Sequence, residues 1–239
     1  MRILPRCFLL LAFVFALPAC ATKAILLADP DRNRLQTQTE LKVYHYKPAT
    51  FTVMTTGARV AMMTGVMFGA IGGALGGGFA ASSVQSEGQR WVAAYGLEDP
   101  VTRVKSRLIS SLGNTLPSVS LRPMPEPLTD DDLTTAKSHG DKGIVLEVGT
   151  RLWSVGDFQN SMGAYRYWVQ ARLVDATEGK VIWRGLCKFE DDRSEENYTQ
   201  DQLKADNAAI LKTKLAAAAD SCADQLIEQF SAKASSEDN

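Results

Sequence analysis

The sequence predicts an α+β fold in which a small mixed sheet of about four strands is packed by two or three helices and preceded by a glycine-rich helical segment. Three features indicate this fold. Alternating apolar and polar residues mark strands between residues 143 and 189, apolar residues at helical spacing mark a long final helix, and glycines recur at every fourth position between residues 65 and 77. With 45% hydrophobic and 22% charged residues, the chain of 239 residues has the composition of a globular protein.

The amino terminus predicts an export signal. Arg2 and Arg6 precede an uncharged apolar run from Phe8 to Leu17, which is too short to cross a bilayer but has the length of the apolar region of a secretory signal. The run ends in Leu17-Pro18-Ala19-Cys20, which resembles the lipobox of bacterial lipoproteins. This resemblance implies that residues 1–19 are a removable signal peptide and that Cys20 becomes the lipidated amino terminus.

The same resemblance implies a location for the mature chain. The residue after Cys20 is Ala21, not the Asp that retains many such lipoproteins in the inner membrane. The resemblance therefore implies an outer-membrane protein that is anchored through lipid on Cys20 and faces the periplasm. A plain signal peptide, or an uncleaved anchor in which Cys20 is incidental, is the alternative.

Residues 20–56 are predicted to be a lipid-anchored tether with short β segments. Residues 41–46 and 50–55 have the composition of two such segments. Tyr44 and Tyr46 would suit a strand that binds a partner, and an edge strand of the main sheet is the alternative interpretation.

Residues 57–88 contain an uncharged, glycine-rich stretch that predicts a helix. Gly65, Gly69, Gly73 and Gly77 form one flat stripe on such a helix, along which another helix can approach closely. This spacing resembles the glycine-zipper segments of bacterial envelope proteins and implies self-association. Three interpretations stay open: a membrane-associated helix that packs on its own copies, a buried glycine-rich helix or hairpin in the protein's own core, and a flexible linker.

Residues 99–231 are predicted to form the periplasmic α+β domain, and residues 232–239 a disordered tail. Asp99 and Pro100 mark the start of a helix, because Asp can cap a first turn and Pro is tolerated there. The other predicted elements are a strand over residues 118–122, a helix from Thr129 to about His139, strands over residues 143–153, 165–175 and 180–189, a connection over residues 154–163 and a final helix from Thr199 to Phe230.

Two cysteines, Cys187 and Cys222, remain after Cys7 is assigned to the predicted signal and Cys20 to the predicted anchor. Cys187 shares a strand face with Trp183, and Cys222 lies on the apolar face of the final helix, so the two sulfur atoms can meet if that helix covers that face of the sheet. An even pair of cysteines in an oxidising compartment predicts a disulfide, and two buried free thiols are the alternative.

The predicted domain also resembles a known group of envelope proteins. The resemblance is carried by the stretches Asp141–Val148, Ala171–Asp175 and Gly179–Trp183. They are similar to the periplasmic part of the curli-secretion lipoprotein, to lipoprotein activators of penicillin-binding proteins and to the amino-terminal domain of the Tol-system propeller protein. Because such domains bind partners or oligomerise and are not usually enzymes, the resemblance implies a role without catalysis.

The remaining residues predict no enzyme, no cofactor and no metal site. His45 and His139 are the two histidines, and neither lies near a Ser, Cys or acidic residue in a pattern typical of catalysis or metal binding. The 26 basic and 27 acidic side chains leave a net charge of -1, which argues against a protein that binds nucleic acid.

These observations together predict a non-enzymatic envelope lipoprotein. It would act as a periplasm-facing structural, assembly or partner-binding module, contact the membrane through Cys20, self-associate through its glycine zipper and bind an unidentified envelope protein. The alternative function is that of a component of an oligomeric secretion or export pore in the outer membrane. The two hypotheses differ in the size of the assembly that they require.

Overall fold

The computed structural model of the chain describes residues 24–54, 78–129, 141–159, 162–191 and 198–232. The helices are Asp29–Gln36 (α1), Gly78–Tyr95 (α2), Val101–Thr115 (α3) and Gln200–Ser231 (α4). The strands are Glu40–His45 (β1), Thr52–Met54 (β2), Ser120–Pro123 (β3), Ile144–Gln159 (β4), Met162–Asp175 (β5), Lys180–Glu190 (β6) and Tyr198–Thr199 (β7).

The described strands form one mixed sheet. Its main path runs β3-β1-β4-β5-β6, while β2 pairs with β4 and β7 pairs with β5. β1 is parallel to both β3 and β4, whereas β4, β5 and β6 are successive antiparallel neighbours. The predicted α+β fold class is confirmed. The described residues show seven strands in one sheet and four helices; the sequence predicts about four strands and two or three helices for the domain, with two short β segments and a glycine-rich helical segment before it.

β1 and β2 lie in the predicted tether, at the places of its two predicted β segments. β1 lies between β3 and β4, with Val43 opposite Leu146. β2 pairs farther along β4, with Thr52 opposite Ser154. Residues 40–54 therefore belong to the same sheet as the strands of the carboxy-terminal half, and β1 is an interior strand and not an edge strand.

The residues before β1 are also docked on the sheet. Ile25 forms an antiparallel bridge with Arg184 of β6, through backbone hydrogen bonds of 3.0 and 2.9 Å. Leu27 is buried in the main core. In α1, the Arg34 guanidinium donates a hydrogen bond to the buried carboxylate of Asp175, the last residue of β5. Helix α1 is thus held to the end of the sheet by an ion pair.

We expect Arg34→Met to lower the free energy of unfolding by about 1 kcal/mol at neutral pH. Burial raises the pKa of Asp175, but hydrogen bonds from Arg34 and from the amides of Glu178 and Thr177 outweigh burial and hold that pKa below its usual value. Such a carboxylate stabilises the fold above its unfolded-state pKa of about 3.9, and this contribution is lost as the pH falls through the folded-state pKa.

Urea unfolding of both proteins over a series from about pH 7 to about pH 3 measures this dependence. The difference between wild type and Arg34→Met should narrow toward the acidic end. A difference that stays constant over the whole series would contradict the assigned role of the ion pair.

The hydrophobic core lies on one face of the sheet, under α3 and α4. The alternation predicted for β5 is confirmed, because every second residue joins this core: Tyr167, Val169, Ala171 and Leu173. The intervening residues point to the other face: Arg166, Trp168, Gln170 and Arg172. The predicted connection over residues 154–163 is wrong in extent, since β4 continues to Gln159 and β5 begins at Met162.

Helix α4 begins with the capping box of Thr199 and Gln202, in which each side chain accepts a hydrogen bond from the backbone amide of the other. The helix is not continuous. Asp206, Asn207 and Ala208 have φ angles of 51°, 58° and 56°, in the left-handed region that side chains disfavour. The single long helix predicted from the sequence is therefore two helical pieces joined by a strained kink.

We expect Asp206→Gly to leave the free energy of unfolding within about 0.5 kcal/mol of wild type, or to raise it. Glycine relieves the left-handed strain, and this gain offsets the larger entropy of the unfolded chain. The control is Ala209→Gly, an exposed position in regular helix just beyond the kink, which should cost about 1 kcal/mol. Equal losses in urea unfolding would contradict the kink.

Candidate functional site

The first predicted site in the described residues is the cysteine pair. Cys187 of β6 and Cys222 of α4 form a disulfide with a Cα–Cα distance of 5.3 Å, and both residues are fully buried. Trp183 and Phe230 pack edge to face nearby, with ring centroids 5.5 Å apart. The disulfide expected from the sequence is present, and it joins α4 to the sheet within the hydrophobic core.

The other predicted site residues lie outside the described residues. This applies to the lipid-anchor residue Cys20 and to the glycine-zipper residues Gly65, Gly69, Gly73 and Gly77. The lipid anchor and the zipper therefore stay predictions. In the part of the chain that the structure describes, no helix is both long enough and apolar enough to cross a membrane.

The described end of the glycine-rich segment packs inside the protein. Helix α2 crosses β2 at Gly88, where a Cβ atom would lie 1.8 Å from the carbonyl oxygen of Phe51. The Phe51 ring lies 4.8 Å from that of Trp153 and 6.4 Å from that of Trp91, measured between centroids. The absence of a side chain at Gly88 therefore allows helix α2 to pack closely on the backbone of the protein's own core.

A buried ion pair lies on the face of the sheet opposite the main core. Glu147 of β4 is directly opposite Arg172 of β5, and Arg172 Nε donates a 2.7 Å hydrogen bond to Glu147 Oε2. Tyr46 joins both: its hydroxyl donates to Glu147 Oε2 and accepts a 2.6 Å hydrogen bond from Arg172 Nη2. Glu147 and Arg172 are only 1% and 5% exposed, so the pair is almost fully removed from water.

The surroundings hold these groups in fixed protonation states. Burial and the charge of Glu147 raise the pKa of Tyr46, so its hydroxyl stays protonated and remains a donor. Burial lowers the pKa of Arg172, but Glu147 and Tyr46 outweigh this effect and hold it above its usual value. The guanidinium therefore stays charged, and the three groups form one persistent polar cluster.

A cavity of about 170 Å³ adjoins this cluster. Its lining is mostly polar and comprises Tyr46, Lys47, Thr129, Glu147, Gly149, Thr150, Arg151, Gln170 and Arg172. Among the described residues, Glu147 Oε1 has no hydrogen-bond partner. Buried polar atoms are rarely left unpaired, and Glu147 is one of the residues that line the cavity. The cavity is therefore the candidate binding site of this domain.

The sequence indicated only part of this site. It suggested Tyr46 as a residue that could bind a partner, but it did not identify Glu147 and Arg172. The available signal was a charged residue flanked by apolar neighbours in each strand: Glu147 between Leu146 and Val148, and Arg172 between Ala171 and Leu173. A buried charge of this kind needs a partner of opposite sign, and the register of β4 and β5 supplies it.

A second polar cluster links α3 to the sheet. Asp99, predicted as a helix start, accepts hydrogen bonds of 2.9 Å from the Val101 amide and 2.6 Å from Thr150 Oγ1. Thr150 Oγ1 in turn lies 3.1 Å from the Tyr167 hydroxyl. Burial raises the pKa of Asp99, while its hydrogen bonds oppose this shift. The helix start is confirmed, and the carboxylate also fixes α3 on β4.

His45 lies beside a cation. Its Nδ1 atom is 3.0 Å from Lys105 Nζ, and burial together with the charge of Lys105 lowers the pKa of His45. Burial also lowers the pKa of Lys105. Across the described ranges, no group of three or more His, Cys, Asp or Glu side chains is placed to hold a metal ion.

No protein-family model matches the chain, and no curated protein matches its sequence. Among solved structures, it is similar to the PelC dodecamer from Paraburkholderia phytofirmans, with 16% identity and a TM-score of 0.32 over 55% of this chain and 75% of the PelC chain. It is also similar to lipoprotein GNA1162 from Neisseria meningitidis, with 11% identity and a TM-score of 0.28 over 73% of this chain and 94% of that one. Similarities this low assign neither a family nor a function.

Proposed function

We propose that this chain is an exported lipoprotein of the bacterial envelope, anchored in the outer membrane through Cys20. Its α+β domain faces the periplasm, binds an envelope partner and catalyses no reaction. The glycine-rich segment around Gly65–Gly77 provides self-association. The absence of catalysis rests on the sequence, in which neither histidine belongs to a catalytic pattern.

The buried Cys187–Cys222 disulfide carries the proposal of export. Disulfides persist in oxidising compartments such as the periplasm and are rare in the bacterial cytosol. A disulfide in the core of the domain therefore supports the amino-terminal signal that the sequence predicts. Thiol alkylation under denaturing conditions, directly after acid precipitation of the cells, tests it: Cys187 and Cys222 should react only when a reductant is added, and reaction without a reductant would contradict export.

The lipid anchor is tested by metabolic labelling with a fatty acid that carries an alkyne. We expect label on wild type and none on Cys20→Ser. The matched control is Cys7→Ser, which should keep its label because residue 7 leaves with the predicted signal. An unlabelled wild-type protein would overturn the anchor and the outer-membrane location.

The cavity beside Glu147 supports the proposal of partner binding. Lys47 is an exposed residue on its rim, and Arg90 on α2 is an exposed residue elsewhere. A photoreactive side chain placed at residue 47 in living cells should form an adduct with a second molecule, whereas one placed at residue 90 should not. Equal results at the two positions would contradict a binding site at the cavity.

Self-association is tested by size measurement after detergent extraction. The proposed accessory protein gives a small assembly, whereas the alternative function, an export pore, requires a large ring. Deletion of residues 60–84 should dissociate the assembly, because it removes the glycine stripe. If the deletion variant keeps the same oligomeric state, the glycine zipper does not drive assembly.

A further inference from the structure

The chain between the proposed lipid anchor and the sheet is short. Ile25 is bound to Arg184 of β6 by two backbone hydrogen bonds, and only four residues separate it from Cys20. A fully extended chain covers about 3.3–3.6 Å per residue, so the reach from Cys20 to Ile25 is roughly 18 Å at most. A domain of about 200 residues has a radius of gyration of about 16 Å, so this connection cannot let the domain turn freely.

The exposed residues nearest to this connection, Ala24, Leu26 and Ala28, are apolar, and the exposed Asp29 follows them. Leu27 is buried with 1% exposure, while Leu26 beside it is 45% exposed and is the exposed large hydrophobic side chain of the described residues. Ala24 and Ala28 are exposed on either side of it. An outward leucine between small apolar residues, a few positions from acyl chains, can enter the lipid interface without cost to the core.

We propose that the domain lies against the membrane through this surface, formed by residues 24–28 and the adjoining β6 edge of the sheet. The partner of the surface is the lipid bilayer itself. The inference rests on the proposed lipidation of Cys20. The domain is held directly on the membrane and not on a long tether, because residues 40–45 and 52–54 of the predicted tether are strands of the sheet.

The opposite edge of the sheet then points away from the membrane. β3 lies four strands from β6 along the main path, which is roughly 19 Å at about 4.8 Å per strand. Ser120 at the start of β3 is exposed and is the matched reference position. The orientation therefore predicts different distances from lipid for Ala24 and Ser120.

The test uses the full-length lipidated protein in phosphatidylcholine vesicles. A fluorophore is attached to Ala24→Cys or Ser120→Cys; the native Cys187 and Cys222 do not react, because they form the buried disulfide. Lipids with a doxyl quencher should reduce the fluorescence of the probe at residue 24 and leave that of the probe at residue 120 unchanged. Equal quenching at both positions in lipidated, vesicle-bound protein overturns the inference alone.

A second variant tests the short connection itself. Insertion of about twenty Gly and Ser residues after Lys23 adds an average reach of roughly 25 Å, and quenching at residue 24 should fall to the level of residue 120. Persistent quenching would show that this surface stays at the membrane without a short connection, which contradicts the role assigned to the short connection. If mass spectrometry finds no lipid on Cys20 and the protein does not bind vesicles, the proposed anchor fails together with this inference.

Discussion

Removal of the Cys187–Cys222 disulfide is expected to lower the free energy of unfolding by about 3 to 4 kcal/mol. The bond closes a loop of 35 residues, and in the chain-entropy description a loop of this length restricts the unfolded chain by that amount. For a chain of this size the loss corresponds to a fall in the melting temperature of roughly 10 °C. The bond joins α4 to β6, so its loss should loosen the helix that covers the core.

The double variant Cys187→Ala, Cys222→Ala and wild type are compared in urea unfolding with and without dithiothreitol. The reductant should lower the stability of wild type and leave that of the double variant unchanged. This pattern separates the effect of the bond from the small loss of packing that alanine causes. A wild-type protein that unfolds at the same urea concentration with and without reductant would show that the bond does not form.

The carboxy-terminal strands could be predicted because their pattern is local. Tyr167, Val169, Ala171 and Leu173 alternate with polar residues, and alternation is what a strand with one buried face requires. The same local patterns placed Cys187 and Cys222 on faces that could meet. No pairing partner has to be known for such a prediction, since the faces follow from the periods of strand and helix alone.

The position of β1 could not be predicted in this way. Its parallel pairing with β4 joins Val43 to Leu146, and no local pattern records which distant strand a segment will join. Side chains also fix the position of β1, since Tyr44 donates a 2.6 Å hydrogen bond to Asp141. The residues of β1 were therefore identified as strand-forming, while their place inside the sheet depended on contacts about 100 residues apart.

The polar cluster at the candidate site has the same origin. Glu147 and Arg172 become a pair only when the register of β4 and β5 puts them opposite each other.

The kink in α4 could not be predicted for another reason. Its residues Asp206, Asn207 and Ala208 include no Gly or Pro, the residues that usually interrupt a helix.

Replacement of Gly88 by alanine is expected to cost about 3 kcal/mol, at the upper end for overpacked cores. The added methyl group would meet the carbonyl oxygen of Phe51 at 1.8 Å, and backbone cannot move aside as a flexible side chain can. Helix α2 would have to shift away from β2, which would open the contact between Phe51 and Trp91. Urea unfolding gives the loss of stability, and near-ultraviolet circular dichroism reports the aromatic packing.

Gly113→Ala is the matched control for Gly88→Ala. Gly113 also lies in a helix, but it is exposed, and the nearest atom to its added methyl group is Leu121 Cδ1 at 3.8 Å, an ordinary contact distance. Alanine there should raise the stability by up to about 1 kcal/mol, because it is the better helix former. Opposite signs at the two glycines would show that Gly88 is required for close packing of α2 on the sheet. Stabilisation by both substitutions would mean that α2 does not pack on β2 at this distance.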